Sequence, residues 1–160
     1  MKLVLLRHAK SAWPDVPDHE RPLAARGQRD APAIGRWLLQ AGHLPDLVVC
    51  STARRTRETW QLAQAEMGST APVAFEDGLY QATGAHLLDL IRPTPPAAAT
   101  LLVIGHDPAI PQLALMLAGQ VAAVARGSDR HRQRTRPDPL KRMQGKAAST
   151  GVVYGVPAQL

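Results

Sequence analysis

Three short apolar runs, each closed at its C-terminal end by polar residues, constrain this chain more than any other feature. Residues 2–6 read KLVLL and stop at Arg7-His8; residues 47–50 read LVVC and stop at Ser51-Thr52; residues 100–104 read TLLVI and stop at Gly105-His106. A continuous apolar run of this length, bounded by polar or turn-forming residues, is the pattern of a strand buried on both faces, as in a parallel sheet. If the three are neighbouring parallel strands, their polar ends gather at one edge of the sheet. In open sheets of this kind ligands bind outside the carboxyl ends of the strands, so that edge is where a site is expected.

Between the runs the apolar spacing changes to that of helices. Ala31, Ile34 and Leu38, with Trp37 beside them, make one apolar face that Gly42 is placed to end. Thr56, Thr59, Trp60, Ala63 and Met67 make a second stripe, and Ile110, Leu113, Ala114 and Leu117 a third. The third is expected to start with Asp107 as its cap and Pro108 in its first turn, and to end near Gly119. Residues 85–91 suit a shorter helix. Strands alternating with helices predict an α/β fold: a single three-layer domain with a mainly parallel central sheet flanked by helices. At 160 residues and 45% hydrophobic content the chain has material for one compact core and little for a second.

Past Gly119 the periodicity fades. Residues 120–147 are expected to form a basic loop or partly disordered segment, carrying Arg126, Arg130, Arg132, Arg134, Arg136, Lys141, Arg142 and Lys146, and residues 150–156 (TGVVYGV) a last strand. That stretch supplies much of the net charge of +6. It lacks the interleaved aromatic residues that stack bases, which argues against a nucleic-acid partner. Cys50 is the only cysteine, so an internal disulfide and a cysteine-based zinc knuckle are both excluded. No segment is long enough to span a membrane, and the opening apolar run is shorter than the core of a secretion signal. The expected compartment is the cytoplasm, and the expected state a monomer.

Arg7 and His8 stand where a buried strand meets a polar edge, a costly place for a cation unless an anion compensates it. A guanidinium clamps phosphate oxygens through paired hydrogen bonds, and a neighbouring imidazole can attack phosphorus. Residues 51–59, STARRTRET, lead from a strand end into a helix whose first turn offers unpaired N–H groups and places Arg55 on the same edge. Arg54 and Arg57 fall elsewhere on that helix. Gly105-His106 brings a second imidazole to the place where His8 emerges. Each element alone also suits solvated charges or a structural histidine; their convergence on one edge points to a phosphate site.

The order Arg7-His8-Ala9, then Ser51 with Arg55 and Thr59 spaced as S-x-x-x-R-x-x-x-T, then Gly105-His106 after an apolar strand, resembles the histidine phosphatase (phosphoglycerate-mutase-like) superfamily. The small size and the stretch HERPLAARG at residues 19–27 resemble its short SixA-type phosphohistidine phosphatases. By that resemblance His8 is the nucleophile that becomes phosphohistidine, Arg7 and Arg55 bind the phosphoryl oxygens, and His106 completes the pocket, with neither metal nor other cofactor. Lys10, Ser11, Arg21 and Arg26 are assigned to a loop after the nucleophile that lines the substrate entrance; Asp18 and Ser51 complete the substrate-binding candidates. His8 must be uncharged to attack, and the group that fixes its proton is not legible in the sequence.

One departure bears on substrate. Larger members of the superfamily carry a glutamate as the acid that protonates an alkoxide leaving group, and close relatives read Leu-Tyr-Glu-Ala where this chain has Leu79-Tyr80-Gln81-Ala82. Gln81 offers no usable proton, leaving Asp18, Glu76 or Asp77 as substitutes. Imidazole is a better leaving group than an alkoxide because its nitrogen is protonated near neutral pH. A phosphatase of protein phosphohistidine is the reading that follows. A general small-molecule phosphomonoesterase and a non-catalytic phosphoprotein-binding module are its alternatives.

Overall fold

The computed structural model describes residues 1–128 of the chain. Four strands, β1 (Lys2–Arg7), β2 (Leu47–Ser51), β3 (Val73–Glu76) and β4 (Thr100–Gly105), form one parallel sheet in the order β1-β4-β2-β3. Helices α1 (Ala25–Gln40), α2 (Arg54–Met67), α3 (Gly84–Ile91) and α4 (Ala109–Ser128) flank it. The α/β fold with a central parallel sheet is therefore as expected, and the three apolar runs are β1, β2 and β4.

Alternation along each strand divides the core in two. Leu3, Leu5, Val49, Leu101 and Val103 face one side and pack with Leu87, Ile91, Ile110, Leu113 and Leu117 of α3 and α4. Val4, Leu6, Val48, Cys50, Leu102 and Ile104 face the other and pack with Leu38, Trp60, Ala63 and Met67 of α1 and α2. Gly35 lets α1 and α2 touch: a Cβ there would lie 2.3 Å from the Ala63 carbonyl oxygen.

Several sequence expectations need correction. β3 carries no signal because it is a short edge strand with half-exposed and exposed side chains, so it shows no continuous apolar run. α1 begins at Ala25, which puts Arg26 on a helix rather than in the loop after the nucleophile. α4 begins at Ala109, and the Asp107 carboxylate turns instead to Arg7, 2.7 Å away. The same helix passes Gly119 and runs to Ser128, because one interior glycine costs only about 1 kcal/mol and the alanines after it favour helix. The expected loop is thus helical over residues 120–128. The rest of the basic stretch, 129–147, and the strand expected at 150–156 lie outside the described residues. Among those described, no helix is long and apolar enough to cross a membrane.

Candidate active site

Register, rather than any loop, brings the two imidazoles together. β1 and β4 pair with Arg7 opposite Gly105, so His8 and His106 are the next residues along adjacent parallel strands, and the His8 N–H continues the ladder to the Gly105 carbonyl at 3.0 Å. Their ring centroids lie 5.2 Å apart at 57°. On the other side of β4, Cys50 of β2 pairs with Ile104, which brings Ser51 beside His106; Ser51 Oγ lies 2.9 Å from His106 Nε2.

The group that fixes the His8 proton is the carbonyl of the next residue. His8 Nδ1 stands 2.7 Å from the Ala9 oxygen. A carbonyl only accepts, so Nδ1 carries the hydrogen and Nε2 keeps its lone pair. The Ala9 N–H in turn donates to Thr59 Oγ1 at 3.1 Å, and that hydroxyl donates to the Arg55 carbonyl at 2.7 Å. Thr59, one helical turn after Arg55, therefore locks the segment bearing His8 to the helix bearing Arg55. Burial, aided by the charges of Arg55 and Arg7, pushes the His8 imidazole down to about 4, against the partial opposition of the Ala9 bond.

His106 is buried, and its ring is pushed down to about 3 by burial first and then by the neighbouring His8 and Arg55. Ser51 Oγ already accepts a long bond from the Ala53 N–H, 3.4 Å, so its own hydrogen is available to His106 Nε2. If Ser51 gives that hydrogen to Nε2, the single proton of the neutral ring sits on Nδ1, a buried atom without a hydrogen-bond partner. A buried donor left unmade is costly, and an anion in the cleft would satisfy it.

The arginines are held in advance. Arg7 Nη1 meets Asp107 Oδ2 at 2.7 Å. Arg55, only 6% exposed, donates to the Asp18 carbonyl at 2.6 Å and to Asp18 Oδ2 at 3.1 Å. Asp18 is a hub: the Tyr80 hydroxyl donates to Oδ2 at 2.6 Å and Arg21 Nη1 to Oδ1 at 2.7 Å. Tyr80, Arg21 and Arg55 together hold its carboxyl well below the usual carboxylate range.

An open cleft of about 380 Å³ gathers these groups. Its walls include Arg7, His8, Arg55 and His106, and also Lys10, Ser11, Arg21 and Arg26. Two residues that the sequence pattern did not mark as site residues, Trp13 and Asp107, line it as well. Ser51 is fully buried and meets the cleft only through His106, so it is not a substrate contact. Asp18 acts from outside the cleft on Arg55 and Arg21. Arg21 reaches the wall with its nitrogens already engaged by Ala12, Asp18 and Ser11. Of the opening residues of α2, Arg55 alone lines the cleft. Arg54, paired with Glu58 at 2.7 Å, and Arg57 are exposed. Gly105 is closely packed: a Cβ there would meet Ile110 Cδ1 at 3.3 Å, so that side chain would have to shift. Gln81 is exposed in the left-handed region at φ 63°. Neither it nor Glu76 nor Asp77 lines the cleft.

The sequence profile of the histidine phosphatase superfamily (branch 1) matches residues 3–83. An uncharacterized protein of Mycobacterium tuberculosis is 44% identical over 124 residues, spanning 75% of this chain and 76% of that protein. Among solved structures, a candidate phosphohistidine phosphatase, SixA, of Nakamurella multipartitia superposes with a TM-score of 0.68 at 42% identity, covering 80% of this chain and 71% of that one. A second SixA candidate, from Agrobacterium tumefaciens, gives 0.68 at 30% identity, with coverages of 80% and 84%.

Proposed function

The chain belongs to branch 1 of the histidine phosphatase superfamily, and from that premise we propose that it hydrolyses phosphoryl groups carried on nitrogen, as in protein phosphohistidine, through a phosphohistidine formed on His8. The observation that carries the choice of substrate is the state of Asp18: the carboxylate nearest Arg55 is held ionised by Tyr80, Arg21 and Arg55, so it has no proton to give an alkoxide. Asp107, the carboxylate in the cleft wall, is taken up by Arg7.

The groups present suit phosphoryl transfer, which demands positioning and neutralised charge more than covalent chemistry. His8 Nε2 attacks phosphorus as the bond to the substrate imidazole breaks; the departing nitrogen takes the electron pair, and a proton on the far ring nitrogen lets the imidazole leave neutral. Arg7 and Arg55 face the charge that spreads over the phosphoryl oxygens, and His106, held by Ser51, closes the pocket beside them. Water then attacks phosphorus on His8, and inorganic phosphate departs as Nε2 regains its lone pair.

The deciding experiment compares kcat/KM on free phosphohistidine and on phosphoserine. Loss of a general acid costs an alkyl ester about 10²- to 10⁴-fold, so a preference for the N–P bond of at least about 100-fold is expected. Equal rates, or a preference for phosphoserine, would sink the reading.

The pH profile is a second test. Because the folded His8 titrates near 4 rather than near its ordinary 6.5, it stays uncharged and nucleophilic from pH 7.5 to pH 5.5. Hydrolysis of 4-nitrophenyl phosphate, whose leaving group needs no acid, is expected to hold across that interval. A drop in kcat/KM centred on pH 6.5 would contradict it. Stability moves with the same sign: the unfolded imidazoles bind protons below 6.5 while the folded ones do not, so the fold loses stability as pH falls from 6.5 toward 4.

A further inference from the structure

Trp13 stands out in the cleft wall. It is 77% exposed, and it is the one large apolar side chain in a wall otherwise built of charged and polar groups. The other tryptophans are differently used: Trp60 is 2% exposed in the core, and Trp37 packs edge-on against His43. The Trp13 ring is also fixed. The Arg21 guanidinium lies against one face, its carbon 3.2 Å from the ring centroid. Arg21 is itself only 6% exposed and is tied to the Ala12 carbonyl at 2.9 Å, Asp18 at 2.7 Å and Ser11 Oγ at 2.7 Å. The backbone beneath is pinned by the Ala12 N–H to the Pro22 carbonyl, 2.9 Å, and by the bridge between Ser11 and Leu23. Pro14 and Pro17 restrict the segment that follows, which exposes a second apolar side chain, Val16, at 43%.

We propose that the open face of Trp13 is a docking platform for an apolar side chain of the substrate polypeptide, next to the phosphorylated residue. The inference rests on the phosphatase reading of the cleft and adds to it a contact with the residue flanking the phosphorylated one. Holding a large ring rigid in water brings the fold no burial, whereas a rigid aromatic surface gives a partner contact area at low entropic cost. Arg21 selects what docks. A cation already on one face draws on the ring's electron density, so the other face is a poor host for lysine or arginine and suits an aliphatic or neutral aromatic group. Consecutive Cα atoms lie about 3.8 Å apart, so a residue flanking the phosphorylated one stays within a cleft that Trp13 and His8 share.

The test uses the full chain and two blocked peptides, Leu-phosphohistidine-Leu and Gly-phosphohistidine-Gly, with their phosphoserine counterparts. Wild type is expected to favour the leucine peptide by about tenfold in kcat/KM. Trp13→Ala should bring that ratio close to one and Trp13→Phe should keep most of it. Reading the ratio removes any effect on the shared chemical step that arises from loosening Arg21. A wild-type ratio near one, or a ratio unchanged in Trp13→Ala, overturns the platform. If wild type cleaves only the phosphoserine pair, with a leucine preference that Trp13→Ala removes, the platform stands and the N–P reading falls. Cleavage of neither pair overturns both.

Discussion

His8→Ala is expected to lose turnover by on the order of 10⁴-fold or more while the fold survives. The loss follows from the tautomer. With Nδ1 committed to the Ala9 carbonyl, the free Nε2 is the atom that forms the phosphoryl bond, and no neighbour can replace it: His106 has its Nε2 against Ser51 and its ring buried. The fold should survive because His8 is only half-buried, its imidazole bonds to the next residue, and its backbone bond to Gly105 is untouched by the substitution. The measurements are steady-state turnover, circular dichroism, and capture of labelled phosphate on the protein during reaction. Wild type should trap an acid-labile, base-stable label that His8→Ala lacks. Since the cleft is open, imidazole added to His8→Ala should restore part of the activity. Residual turnover within tenfold of wild type would show that His8 is not the nucleophile.

Arg55→Ala is expected to cost about 10²- to 10³-fold in kcat/KM and about 1–3 kcal/mol of stability. The two effects share one cause. The guanidinium is buried, and it satisfies the Asp18 carbonyl and one Asp18 carboxylate oxygen while aiming its remaining donors at the cleft. Truncation removes a phosphate clamp and unties the start of α2 from Asp18. Arg55→Lys keeps the charge but not the planar fork, so it should recover only a fraction of the activity. The neighbouring Arg54 is the control: exposed and paired with Glu58 one turn away, it should change stability by no more than about 0.5 kcal/mol when replaced by alanine. Urea unfolding with kinetics on the same preparations separates the two effects. An Arg55→Ala protein that keeps wild-type kcat/KM would remove this residue from the site.

The parts of the molecule legible in the sequence are those where burial alone sets the pattern. The three apolar runs are β1, β4 and β2, the strands whose side chains are buried on both faces, because a strand covered on both faces has no polar positions to spare. All five residues of the Thr56 to Met67 stripe are buried, and so are the four of the stripe from Ile110 to Leu117. β3 escaped notice because its side chains are half-exposed or exposed and obey no such constraint, and the start of α1 because Arg26 to Asp30 are polar and Pro32 sits within the helix. Trp13 escaped for the opposite reason: an exposed aromatic belongs to no periodic stripe, and only its stacking on Arg21 marks it.

The sequence by itself marked Arg7, His8, Arg55 and His106 as groups that meet if their strands are neighbours, since residues that follow neighbouring parallel strands emerge at the same edge. It also determined that Gln81 could not serve as an acid. The tertiary structure decided how the meeting is organised. Which atom of His8 is free depends on the Ala9 carbonyl, which depends on Thr59, fifty residues away in the chain. Whether Asp18 is a proton donor or a clamp depends on three side chains that converge on it from Arg21, Arg55 and Tyr80. Periodicity records only which face of an element is buried. Protonation and hydrogen-bond partners are set by register and helix placement, which bring together groups that no local pattern relates.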